Sequence, residues 1–257
     1  MKIGLFDSGL GGLTILRAVT AELPEYDYVY FGDTAHLPLG DKSEEEIFNY
    51  TKEGVERLFA EDAALVIIAC NTASAETLRR LQDGFLTERY PDRRILGVII
   101  PTVEAIEASG VRQALLLATR RTVASRKYDR ELADRHLDLK LDSVAVPELV
   151  PLIEKGQADE AAKLALRTIA DLEEKPEAII LGCTHYTKIK EALRAGYPKT
   201  TIFSQDEIIP RRLTDYLSRH PEIEGLLTRS RTRSIILSLE RPDYADTIKE
   251  LLGGDLG

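Results

Sequence analysis

Two cysteines, a histidine and an aspartate–serine pair carry the strongest chemical signal in this sequence. Cys70 closes the apolar run ALVIIAC (64–70) and opens Asn71-Thr72-Ala73-Ser74-Ala75-Glu76, which has the character of a helix start. A thiol placed there feels the positive end of the helix dipole, which favours the thiolate. Cys183 closes AIILGC (178–183) in the same way, with His185 two residues on and close enough to exchange a proton with it. A buried cysteine commonly acts as a small hydrophobe. The chain has 2 cysteines and both stand at matching strand ends, which suits paired proton chemistry: one sulfur removes a proton from one face of a carbon and the other returns one to the opposite face. Such a pair inverts a stereocentre. A hydrolase built on Cys183 and His185 alone leaves Cys70 without a task, and the close Cys and His spacings of a zinc site are absent from the sequence.

The loop Asp7-Ser8-Gly9-Leu10-Gly11-Gly12-Leu13-Thr14 adds a carboxylate and a hydroxyl at the end of the first apolar run. Its glycines allow backbone N–H groups close to an anion. Thr14 stands where a dinucleotide fingerprint needs its last glycine, and no G-K-[ST] follows, so nucleotide binding is not indicated. Asp, Ser and Gly also make ordinary caps and turns.

The elements that must position these residues alternate. Strand-like runs at 2–6, 28–32, 64–70, 95–100, 113–119, 178–183 and 200–204 are separated by helical periodicity at 13–23, 43–60, 73–85, 126–135 and 159–172. Continuously apolar strands predict mostly parallel sheets covered by helices on both faces, with ligands bound beyond the strand carboxyl ends. VIIACNT (66–72) and IILGCTH (179–185) read alike, as do the segments after the runs at 2–6 and 113–119. The expectation is two similar three-layer α/β/α domains with the site in the cleft between them: residues 1–96 with 209–257, and residues 97–208. Ser43 followed by Glu44, Glu45 and Glu46 predicts a capped helix start.

With 257 residues, 44% hydrophobic and 30% charged, the chain can bury a core of this size. Its 34 Lys and Arg against 43 Asp and Glu leave a net charge of −9, which argues against nucleic acid or anionic membrane as a partner. The run Arg229, Arg231, Arg233 reads as a solvated loop. His36, His136 and His220 read as surface residues, with His36 near enough to reach the cleft. The N-terminal MKIGLFDSGLGG has no apolar leader, and no segment approaches about 18 uninterrupted apolar residues. A cytoplasmic protein with reduced thiols and a small-molecule substrate is expected.

Taken together, these segments resemble the glutamate racemases of the cofactor-independent aspartate/glutamate racemase superfamily. The resemblance rests on FDSGLGGLT (6–14), GDT (32–34), Pro38 with Gly40, ACNTASA (69–75), GVIIPTVEA (97–105), Thr119 and Thr122 with Ser125 and Tyr128, LVPLIEKG (149–156) and LGCTHY (181–186), in family order over most of the chain. It implies interconversion of L- and D-glutamate for peptidoglycan, no cofactor, no metal, and a homodimer. It implies Cys70 and Cys183 as the two acid/base residues, with Asp7 and His185 each supporting the nearby thiol and Glu154 orienting the histidine. Asp7, Ser8, Pro38, Leu39, Gly40, Cys70, Asn71, Thr72, Thr119, Thr122, Cys183, Thr184 and His185 are then the substrate-binding residues. The sequence departs from the family at Leu39, where a tyrosine is usual, at Val146 before Pro147, where a cysteine is usual, and at Thr187, where a proline is usual. Leu39 bears on substrate preference and keeps aspartate or another amino acid open as the substrate; the alternative of a different class is a non-catalytic amino-acid-binding regulatory protein built on the same cleft.

Overall fold

Apolar residues on both faces of the strands dictate the architecture. In the segment Ala63–Ile68 every residue is buried, Leu65 and Ile67 facing one hydrophobic cluster and Val66 and Ile68 another. Full burial of one such side chain contributes roughly 1.5–3 kcal/mol, so a strand of this kind is stable only between two layers. The structure is a computed structural model, and residues 1–254 of it are described. The described strands are β1 (Lys2–Asp7), β2 (Tyr28–Gly32), β3 (Ala63–Ile68), β4 (Arg94–Gly97), β5 (Gln113–Ala118), β6 (Lys140–Ala145), β7 (Ala178–Gly182), β8 (Thr201–Phe203) and β9 (Arg233–Leu237). They form a five-stranded sheet in the order β4-β3-β1-β2-β9 and a four-stranded sheet in the order β6-β5-β7-β8. Every pairing is parallel.

Read from its other edge, the second sheet runs β8-β7-β5-β6, which matches β4-β3-β1-β2 strand for strand. β9, from the end of the chain, is an addition to the first sheet. Cys70 follows β3 and Cys183 follows β7, so the two thiols leave equivalent strands. Helices Leu13–Glu22 and Gln205–Arg219 cover one face of the five-stranded sheet, and Glu44–Ala60 with Asn71–Arg80 cover the other. Helices Ile99–Ser109 and Lys127–Asp134 flank one face of the four-stranded sheet, with Ala158–Ala170 and Lys190–Gly196 on the other. This is the expected α/β class.

Local chemistry fixes the element ends. Helix Glu44–Ala60 starts on the expected capping box: Ser43 Oγ accepts from Glu46 N at 3.3 Å, and the Glu46 carboxylate accepts from Ser43 N at 2.9 Å. The run 95–100 is not one strand. β4 stops at Gly97, and a helix begins at Ile99, because Pro101 falls in its first turn, where the missing N–H costs nothing. Helix Gln205–Arg219 continues through Pro210, its Ile209, Leu213 and Leu217 packed against Leu13 and Leu16. Among the described residues no helix is long and apolar enough to cross a membrane.

Candidate active site

The carboxyl ends of β1, β3, β5 and β7 converge on one cavity of about 470 Å³. Ser8, Pro38, Leu39, Gly40, Cys70, Asn71, Thr72, Thr119, Cys183, Thr184, His185 and Glu154 all line it. The five-stranded side contributes Ser8 through Thr72, the four-stranded side the rest. Three helical starts open onto this space: Asn71–Arg80 after Cys70, Arg120–Ala124 after Thr119, and the 3-10 turn Thr184–Ile189 after Cys183. Their free N–H groups give the cavity a positive character suited to carboxylates.

The two sulfurs are equally buried, 7% exposed each, but keep different company. Ser8 Oγ donates to Cys70 Sγ at 3.4 Å. Burial pushes the Cys70 thiol up to about 12; the Asp7 charge adds to the rise, and the Ser8 hydroxyl and Ala73 N–H oppose it. Cys183 Sγ instead lies 3.8 Å from His185 Nδ1, and His185 Nε2 lies 3.2 Å from Glu154 Oε1. Burial opposes the charged imidazole, yet hydrogen bonds and charges at Cys183 and Glu154 hold His185 well above its ordinary value. One side of the cavity thus presents a thiol beside a hydroxyl, the other a sulfur beside an imidazole that is itself paired with a carboxylate.

Asp7 and Thr122 lie one layer behind the cavity wall. Asp7 is fully buried, accepting from Gly9 N at 3.1 Å and from Thr184 Oγ1 at 3.4 Å. Burial raises its carboxyl above the usual range, although the charge of His185 and the N–H groups of Gly12 and Gly9 pull the other way. Beneath it the Tyr30 hydroxyl donates to Gly9 O at 2.8 Å and pins the loop. Gly11 is required by a close approach: a Cβ there would sit 2.5 Å from Thr184 Oγ1 and 2.9 Å from His185 Nδ1. Thr122 joins a hydroxyl cluster in which Thr72 Oγ1 lies 2.9 Å from Thr119 Oγ1 and 3.1 Å from Thr122 Oγ1.

Asn71 Oδ1 accepts from the Tyr128 hydroxyl at 2.9 Å and from Gln205 Nε2 at 3.3 Å, while its buried Nδ2 has no protein partner. A free amide donor in a residue lining the cavity suits an anionic ligand. Leu39 is 3% exposed and belongs to the same hydrophobic cluster as Cys70. The departure from tyrosine therefore places an apolar side chain in the cluster that buries the thiol. His36 is held elsewhere, its Nδ1 2.8 Å from Asp33 Oδ1 and its ring stacked on Tyr50 at 3.7 Å. Arg120, Arg241 and Tyr244 also line the cavity; the last two arrive from the segment after β9 and carry no sequence signal for the role.

A sequence model of the Asp/Glu/Hydantoin racemase family matches residues 14–209. The chain belongs to that family. It is 42% identical to the glutamate racemase of Paracoccus denitrificans over 240 residues, 88% of each chain. Among solved structures, a glutamate racemase isoform from Bacillus anthracis matches with a TM-score of 0.86 and 27% identity, over 98% of this chain and 94% of its own. The Francisella tularensis glutamate racemase, solved in complex with D-glutamate, matches with a TM-score of 0.85 and 25% identity, over 100% and 95%. The similarity spans both sheets.

Proposed function

We propose that this chain interconverts L- and D-glutamate without a cofactor, Cys70 and Cys183 acting on opposite faces of the α-carbon. The observation that carries the reading is the pair of cysteines at equivalent strand ends lining one cavity, each with its own proton partner; the glutamate racemases matched along the chain support the substrate. The Cα–H beside a carboxylate is a very weak acid, so removing it needs stabilisation of the developing charge in a water-poor site. The helix starts, the Asn71 amide and the Thr72 and Thr119 hydroxyls, backed by Thr122, supply donors for that purpose, and Ser8, Thr184 and the Leu39–Gly40 turn hold the remaining polar groups of the substrate, with Asp7 bracing Thr184 from behind. With the sulfur at His185 as base, Cys183 takes the proton and Cys70 delivers its own; the opposite enantiomer reverses the roles. Asp7 and His185 support the respective sulfurs, and Glu154 keeps the imidazole turned and charged.

The same reading makes residues 1–96 with 209–257 one domain and 97–208 the other, closing on the substrate; residues 255–257 lie outside the described residues. It makes the protein a cytoplasmic homodimer whose product feeds peptidoglycan synthesis. The test is the purified chain incubated with L-glutamate and, separately, L-aspartate, followed by optical rotation without added cofactor. Glutamate should lose rotation, and Cys70→Ala and Cys183→Ala should each slow the loss by about 10²–10⁴-fold or more. Turnover of aspartate alone would move the substrate assignment to the site around Leu39, and full activity in either variant would end the two-thiol reading.

A further inference from the structure

Arg121 sits on the four-stranded side, in the short helix Arg120–Ala124 that begins beside the cavity. Its guanidinium crosses to the other side. Nε donates to Glu76 Oε1 at 2.8 Å and Nη2 to Glu76 Oε2 at 3.3 Å, with Glu44 Oε2 3.8 Å away. The carboxylate it meets is nearly buried, the Glu76 side chain being 9% exposed and that of Arg121 28%. Glu76 and Thr72 are four residues apart on the helix that starts after Cys70, and so share one face of it. Thr119, Arg121 and Thr122 oppose that face. The forked ion pair and the hydroxyl cluster therefore form one continuous seam, one helical turn apart, between the two sides of the cleft. Arg121 does not line the cavity, and its Nε and Nη2 are engaged by Glu76, so it is not placed to bind substrate.

We propose that Arg121 is a positioning residue: paired with Glu76, it latches the four-stranded side onto the Cys70 helix and keeps the Thr72–Thr119–Thr122 cluster assembled before substrate arrives. This rests on the racemase reading for its kinetic consequence, not for its geometry. A latch that favours the binding-competent arrangement raises apparent affinity in proportion to the population it maintains. Proton transfer, once substrate is seated, does not depend on it.

The experiment compares wild type, Arg121→Ala, Arg121→Lys, Glu76→Ala and the Arg121→Ala/Glu76→Ala double variant. Racemisation is followed from both enantiomers, and hydrogen exchange of the 119–125 peptide is read by mass spectrometry. Each alanine variant should raise KM about fivefold, as expected for losing a partly buried charge pair, with kcat within about twofold. The double variant should match the singles, Arg121→Lys should recover part of the loss, and the 119–125 amides should exchange faster in every alanine variant. An unchanged KM, a fall in kcat alone, or single effects that add in the double variant would overturn the latch. A wild type that does not racemise would overturn the activity while the exchange rates still judge the latch: unaltered exchange in Arg121→Ala rejects it on its own.

Discussion

Each sulfur has a few polar neighbours of its own. Cys70 is raised by burial and by the carboxylate of Asp7, and Asp7 is itself raised by burial. A carboxyl whose folded value exceeds its unfolded one adds stability that is complete below the unfolded value of about 4 and is lost as pH rises through the folded value. The melting temperature of Asp7→Asn relative to wild type should therefore rise as pH is taken from about 4 to about 8, while the variant loses racemisation. A relative melting temperature that falls over that range would contradict the burial of a costly carboxylate. Most of the site at this scale was legible, because strand-end residues of reactive type are read directly from motifs: Ser8, Cys70, Asn71, Thr72, Thr119, Thr184 and His185 all reach one cavity. What sequence could not separate was the wall from the layer behind it. Asp7 and Thr122 lie behind the wall and meet it through Thr184 and Thr72, and Arg241 and Tyr244 enter from a segment with no motif at all.

Elements hold these residues by contact as much as by sequence signal. The loop after β1 touches Thr184 and His185 through the bare face of Gly11. Gly11→Ala should fold normally but displace the imidazole from Cys183 and Glu154, lowering kcat by about 10²-fold, the scale of a 1 Å misplacement. Wild-type kcat in that variant would show that the close approach does not set the imidazole. The buried parallel strands were legible from their unbroken apolar runs. β6 was not, since Lys140–Ala145 lies at a sheet edge with no fully buried residue, and its mixed sequence resembles a loop. β9 carries a weak signal for a related reason, its five residues all half-buried at the edge of the other sheet. The helix Gln205–Arg219 was hidden by Pro210, whose cost is outweighed by the packing of Ile209, Leu213 and Leu217.

At the scale of the molecule, the matching strand orders of the two sheets are what bring two thiols to one cavity. Equivalent strands, β3 and β7, are each followed by a cysteine, and the sheets face that cavity with their carboxyl ends. The similarity in sequence around the cysteines hinted at this duplication, and β9 breaks it by adding a fifth strand to one sheet. The arrangement is asymmetric in its polar neighbours although symmetric in topology. A thiol with Ser8 faces a sulfur with an imidazole and a carboxylate, so on the proposed mechanism each direction of reaction uses a different base. A single base can carry a substrate's own proton from one face to the other; two separate sulfurs cannot. The decisive measurement is the initial conversion of protiated L-glutamate in D₂O by the wild-type chain, with both enantiomers separated and their α-hydrogen analysed by mass at low conversion. The account predicts D-glutamate that carries deuterium from the first turnovers, beside residual L-glutamate that is still protiated. D-glutamate that retains the substrate's protium would contradict the two-thiol account and leave a single base in its place.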